Sequence, residues 1–194
     1  MKIITKISAM LLVLLATAIN VNAQNSTSSG STYKGIIYSV GAETSLSVGN
    51  FKDLYKTSVG GSLQADIPVA ENFYATVNAG FNDFIGKNNI YGSGISATNL
   101  QVLPVMAGLK YFPVPVFYVQ ADAGAAFVLN KSAVGYSKNA AFLYTPQVGI
   151  QLPVGGKSYI DAGVRYERTS QFNSALQNSK LNFFGLRVAY AFGI

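Results

Sequence analysis

From about residue 35 to its end, the chain is written in segments of ten or more residues in which apolar positions alternate with small or polar ones. A period of two is the mark of a strand whose two faces meet different surroundings, because successive side chains point to opposite sides of a sheet. Tyr38, Val40, Ala42, Leu46 and Val48 alternate with Ser39, Gly41, Glu43, Ser45 and Ser47. Val59, Leu63, Ala65, Ile67 and Val69 alternate with Ser58, Ser62, Gln64 and Asp66, and Phe73, Ala75, Val77, Ala79 and Phe81 with Tyr74, Thr76, Asn78 and Asn82. A fourth segment, near 99–112, is more uniformly apolar. It is framed with Leu103, Val105, Ala107, Leu109 and Tyr111 on one face and Pro104, Met106, Gly108 and Lys110 on the other. Pro104 has no N–H for a ladder, which predicts a bulge or break there. Four further segments follow, over 117–127, 142–152, 160–167 and 184–194. Connections near 69–72, 113–115 and 153–157 are short, whereas those near 49–57, 83–98, 130–141 and 169–180 are longer and polar. Alternating short turns and long loops predict an all-β, eight-stranded antiparallel up-and-down transmembrane barrel over residues 34–194.

Alternation alone would equally suit a soluble barrel with its apolar face inside. The charges separate the two cases. Only 11% of residues are charged, against roughly 25% in an ordinary soluble domain. The eight charged residues placed within strands, Glu43, Asp66, Lys110, Asp122, Asp161, Arg165, Glu167 and Arg187, all take the polar parity. The rest of that parity is mostly Gly, Ser, Ala, Thr and Gln, a composition that suits a cramped lumen better than a hydrated surface. An eight-stranded barrel is just wide enough for side chains to fill it. A charge buried there must be paired, so Arg165 and Arg187 are expected to meet Asp161, Glu167, Asp122 or Glu43. On the apolar parity Arg or Lys at mid-depth costs roughly 2–4 kcal/mol; Asp83 and Arg168 do take that parity, but at strand ends. Aromatic residues fall into two sets that suggest interfacial belts. Phe73, Tyr111, Phe112, Phe117, Tyr159, Tyr190 and Phe192 lie near the short turns, and Phe51, Tyr55, Phe81, Phe84, Phe127, Phe142, Tyr144, Tyr166 and Phe184 near the long loops.

The beginning of the chain has a different grammar. Lys2 and Lys6 precede an apolar run from Ile7 to Ile19, and Val21-Asn22-Ala23 then offers small residues for cleavage before Gln24. Residues 1–23 therefore read as a secretory signal peptide, cut between Ala23 and Gln24. Residues 24–33, rich in Ser and Thr, read as a flexible linker. After residue 23 no stretch approaches the roughly 20 apolar residues of a spanning helix. The sequence has no histidine and no cysteine, which removes the commonest general base, thiolate chemistry and most hydrolytic triads. No catalytic, cofactor-binding or metal-binding set is assigned, and no nucleotide or nucleic-acid motif is visible; Gly92-Ser93-Gly94 reads as a loop tip.

The segments QVLPVMAGLKYF (101–112), FYVQADAGAAF (117–127) and FGLRVAYAFG (184–193) resemble the small outer-membrane barrels of the OmpX and OmpA transmembrane-domain kind, described as porin-family β-barrel domains. That resemblance implies an integral outer-membrane protein, exported through the periplasm and recognised by the barrel-assembly machinery through an alternating aromatic last strand. Val188, Tyr190 and Phe192 match that signal, although the chain ends on Ile194 where such proteins usually end on Phe. The expected role is non-enzymatic: a structural or surface-interaction barrel, probing no nucleic acid, monomeric, with a lumen plugged by charged and polar side chains. Lys52, Lys56, Lys87, Lys131, Lys138 and Lys180 in the long loops are candidates to hold lipopolysaccharide phosphates; loop solubility accounts for them equally well. A narrow passive channel is the alternative, with a lipid-acting enzyme or a soluble lipid carrier further behind.

Overall fold

A computed structural model describes residues 35–90, 94, 96–173 and 179–193. The proposed signal peptide, linker and cleavage site, with Gly92, Ser93 and Ile194, lie outside the described residues. Eight strands form the barrel: β1 (Ile37–Ser47), β2 (Tyr55–Ala70), β3 (Phe73–Gly86), β4 (Leu100–Val114), β5 (Phe117–Val128), β6 (Ala140–Gly155), β7 (Ser158–Thr169) and β8 (Asn182–Gly193). Each pairs antiparallel with its sequence neighbours, and β1 closes onto β8 through pairs such as Val40 with Tyr190 and Glu43 with Arg187. Closure matters energetically, since no edge is left with unpaired amides to be buried in an apolar medium.

One end carries the tight turns. Glu71-Asn72 joins β2 to β3 with Asn72 at φ 61°, and Gly155 (φ 132°) and Gly156 (φ 54°) take β6 into β7. Glycine and asparagine suit these left-handed positions because a larger or branched side chain would be strained there. The ends of β1 and β8 lie at the same end, where Ile37 pairs with Gly193. At the other end are the longer connections: a 3-10 turn over Gly49–Asp53, the stretch containing the single-turn helix Lys131–Val134, and the links from β3 to β4 and from β7 to β8, of which 87–90, 94, 96–99, 170–173 and 179–181 are described.

Strand parity divides the side chains sharply. Val59, Leu63, Val77, Leu109, Val148, Val164, Leu186 and Val188 are exposed on the outer wall, while Glu43, Asp66, Lys110, Asp161, Arg165, Glu167 and Arg187 are buried in the lumen. An apolar surface this continuous far exceeds what water-soluble monomers present, so the wall is built for hydrocarbon. Pro104 points inward and is buried. Of the expected bulge or break, the structure shows a break. Pairing between β3 and β4 skips Gly80 and Phe81 opposite Pro104 and Leu103, then resumes in unchanged register, and Pro104 still pairs with Ala126 on β5. The missing N–H interrupts one ladder without displacing the strand.

The aromatic sets need correction. Phe51, Tyr55 and Phe84 sit in the lumen at the loop end, and Phe112 in the lumen at the turn end, each at most 4% exposed. A register shift between Tyr55 and Ser58 turns Tyr55 inward, and Phe51 is carried inward by the 3-10 turn. The outer loop-end belt keeps Phe127, Phe142, Tyr144 and Phe184, with Phe73, Tyr111, Phe117 and Phe192 at the turn end.

Candidate functional site

The lumen is filled in three layers. At the turn end, Ile37, Tyr74, Phe112, Tyr118 and Ala191 pack together with Tyr159 against them. Tyr74 meets Phe112 edge-on at 5.7 Å, and Phe112 meets Tyr118 at 5.7 Å. Gly149 and Gly163 pair across β6 and β7 directly beneath the Tyr118 hydroxyl, and a Cβ on either glycine would collide with that phenol. The two bare backbones make the room in which the ring lies flat.

Above this lies the charged layer. Lys110 Nζ donates to Asp66 at 3.0 Å and Asp161 at 2.9 Å, and lies 4.0 Å from the centre of the Tyr118 ring. Tyr118 donates its hydroxyl to Asp161 at 2.9 Å and accepts from Gln147 Nε2 at 2.7 Å. Arg187 pairs with Glu43 at 3.7 Å and Asp161 at 3.5 Å, and donates to Ser62 and Ser39 at 2.9 and 2.8 Å. Arg165 hydrogen-bonds Glu43 and lies 4.0 Å from Glu167. Asp122 stands apart from the arginines. It accepts from Thr76 and Gln120, both at 2.6 Å, and has no cation within ion-pair distance among the described residues. Gln64 links the groups, donating to Asp66 at 2.7 Å and accepting from Asn78 at 3.1 Å. Cations shared between two carboxylates, with hydroxyls and amides taking up part of the remaining valences, are what a charge layer shut away from water requires; Glu43 Oε1, Arg165 Nε and Glu167 Oε2 find no hydrogen-bond partner among the described residues.

The loop end is apolar. Phe51, Tyr55, Phe84, Leu100, Val102, Met106, Leu143, Phe172, Leu181 and Phe183 form one buried cluster, roofed by Tyr136. Phe51 contacts Tyr55 at 4.8 Å and Phe84 at 5.1 Å, Phe84 contacts Phe183 at 5.0 Å, and Tyr136 stacks on Phe172 at 5.4 Å. Lys138 N–H donates to the Phe172 carbonyl at 3.0 Å, as does Ser137 Oγ at 3.0 Å, so two loops are tied over the mouth. Burial pushes the Tyr136 phenol up from its ordinary range.

The six loop lysines share that end but not one place. Lys52 is exposed on the 3-10 turn, Lys56 is exposed at the start of β2, Lys87 follows β3, Lys131 begins the short helix and Lys138 follows it, and Lys180 precedes β8. They occupy four separate connections around the mouth, and the described residues give none of them an ion pair. Val188 and Phe192 face outward on β8, with Tyr190 donating to Ser158 Oγ at 2.8 Å. Among the described residues no group of three His, Cys, Asp or Glu side chains is arranged to hold a metal. Tyr118 was legible only by implication, since it shares the parity of Gln120 and Asp122. The loop-end cluster left less of a trace, because its members mix strand positions with loop residues such as Phe51, Tyr136 and Phe172.

No protein-family model matches the chain, and no curated protein matches it. Among solved structures, the outer membrane protein OprG from Pseudomonas aeruginosa is similar with a TM-score of 0.53 at 12% identity, covering 82% of this chain and 96% of that one. Ail of Yersinia pestis, an outer membrane protein determined in a phospholipid bilayer nanodisc, gives 0.53 at 18% identity, covering 82% and 100%. The outer membrane protein AlkL, determined in lipid bilayers, gives 0.52 at 16%, covering 90% and 97%. With its closed up-and-down order, charged lumen and apolar wall, the chain has the eight-stranded β-barrel fold of these small outer-membrane proteins.

Proposed function

We propose that this chain is an integral outer-membrane protein with a structural and surface-contact role, a plugged barrel that neither conducts solutes nor carries out catalysis. The observation that carries the reading is the inversion of polarity, with paired charges inside and exposed Val, Leu, Ile and Phe outside. A wall of this kind is stable only in hydrocarbon, and a closed barrel crosses hydrocarbon without unpaired backbone. Three filled layers oppose a water path along the axis, with Lys110 held between Asp66 and Asp161 and Asp122 held by Thr76 and Gln120. Residues 1–23 direct export and are cut between Ala23 and Gln24, residues 24–33 act as a linker, and the last strand with Val188, Tyr190 and Phe192 engages the assembly machinery. The barrel acts as a monomer. Its basic loop end faces outward, where Lys131, Lys138 and their companions meet lipopolysaccharide phosphates.

The test is a gel of boiled against unboiled protein from isolated outer membranes. The unboiled barrel is expected to migrate differently from the heated chain and to need detergent for extraction; identical mobility together with extraction by salt overturns the reading. In planar bilayers no stable open state is expected, and a sustained unit conductance would replace the plug by a pore. Charge reversal of Lys131 and Lys138 is expected to lower thermal stability in lipopolysaccharide.

A further inference from the structure

Arg168 is a charged strand residue exposed on the outer wall. Arg168, near the loop end of β7, pairs in the ladder with Tyr144 on β6 and Asn182 on β8. Its neighbour Thr169 is buried in the lumen, so Arg168 takes the outward parity, and its side chain is exposed. No carboxylate among the described residues lies within ion-pair distance of it. Exposed rings surround it: Tyr144 opposite, Phe142 two residues back along β6, and Phe184, which packs against Tyr166 at 5.1 Å. The position is rigid. Ser170, two residues on, donates its N–H to the Phe142 carbonyl at 2.8 Å and accepts the Phe142 N–H on Oγ at 3.0 Å.

Aromatic rings of a barrel mark the membrane interface, the depth at which lipid phosphates lie. A guanidinium at that depth among such rings, with no carboxylate of the described residues paired to it, suits a phosphate better than it suits hydrocarbon or bulk water. Tyr144, exposed and paired with it in the ladder, carries a phenol on the same face. We infer that Arg168 and its ring frame form a docking site on the outer wall for the anionic phosphomonoester of an outer-leaflet lipid headgroup, a group that the choline-neutralised phosphodiester of phosphatidylcholine does not supply. This rests on the integral-barrel reading above, but not on the loop lysines.

The test uses the whole mature chain refolded into phosphatidylcholine vesicles, alone, with phosphorylated lipid A, with dephosphorylated lipid A, or with inorganic phosphate in the buffer. The readout is the temperature at which the compact gel form is lost. Phosphorylated lipid A is expected to raise that temperature, and the other two additions to leave it unchanged. Arg168→Gln should melt like the parent in phosphatidylcholine alone and lose most of the lipid A shift, while Arg168→Lys should keep part of it. An undiminished shift in Arg168→Gln overturns the site. An equal shift with dephosphorylated lipid A or inorganic phosphate overturns the assignment to a lipid phosphate. Should Arg168→Gln not fold, a reduced shift in Arg168→Lys supports the site and full retention overturns it. Failure of the parent to enter vesicles at all would instead defeat the barrel reading, and the site with it.

Discussion

The middle of the lumen and its loop end fill the same narrow space by opposite means. Around Lys110 and Arg187 the side chains are charged, strand-borne and fixed by shared ion pairs. Around Phe84 and Phe172 they are aromatic or aliphatic and come from strands and loops alike. The charged layer gains little net stability from its pairs, because desolvation offsets much of the attraction. What it does is penalise mispairing, since a strand slipped by one residue would turn a charge into the wall. The apolar layer stabilises through burial and closes the mouth, but it tolerates many registers. Specificity and occlusion are thus divided along the axis.

Removing one partner from the charged layer should have the largest effect. Arg187→Met leaves Glu43 and Asp161 short of a cation and should cost about 3–5 kcal/mol, read as a lower denaturant midpoint in micelles. Lys110→Met should behave alike, and adding Asp66→Asn should recover part of the loss by restoring charge balance. Phe172→Ala takes the roof off the apolar layer and should cost about 3 kcal/mol, with faster proteolysis of the loops but an intact strand register by amide exchange. If Phe172→Ala disturbed pairing as much as Arg187→Met, the division of labour would be wrong. A third variant, Val77→Arg, places a charge halfway up the outer wall and should cost about 2–4 kcal/mol in bilayers, a penalty that should shrink in water-rich micelles.

The smallest effect concerns Tyr136, whose hydroxyl has no hydrogen-bond partner among the described residues. Tyr136→Phe should be neutral or stabilising by up to about 1 kcal/mol. Its pH dependence has a definite sign. Because burial raises the phenol's pKa in the folded loop, the loop's stability is complete below the unfolded value near 10 and is lost as pH rises beyond it. Loop proteolysis should therefore quicken in strong alkali in the parent and less so in Tyr136→Phe.

How much of this was written in the sequence depends on the layer. The inward parity of Glu43, Lys110, Asp161 and Arg187 follows from a period of two, which any extended strand imposes. Pairing among them does not, because it depends on the stagger that brings Lys110 of β4 to Asp161 of β7 across the lumen. Asp122 shows the limit, being matched with Thr76 and Gln120 rather than an arginine. Aromatic residues at the loop end misled because a ring near a strand end reads the same whether it faces lipid or lumen. Phe51 and Tyr55 are turned inward by a 3-10 turn and a register shift that no local pattern announces.

By itself, the sequence determined the strands, their two faces and which face meets hydrocarbon, since these rest on local alternation and the cost of unpaired charge. Only the tertiary structure decided which cation serves which carboxylate, that loop aromatics seal the lumen, and that Arg168 stands among rings on the wall. Those outcomes depend on closure and stagger, which bring together side chains far apart in the chain and cannot be read from their spacing.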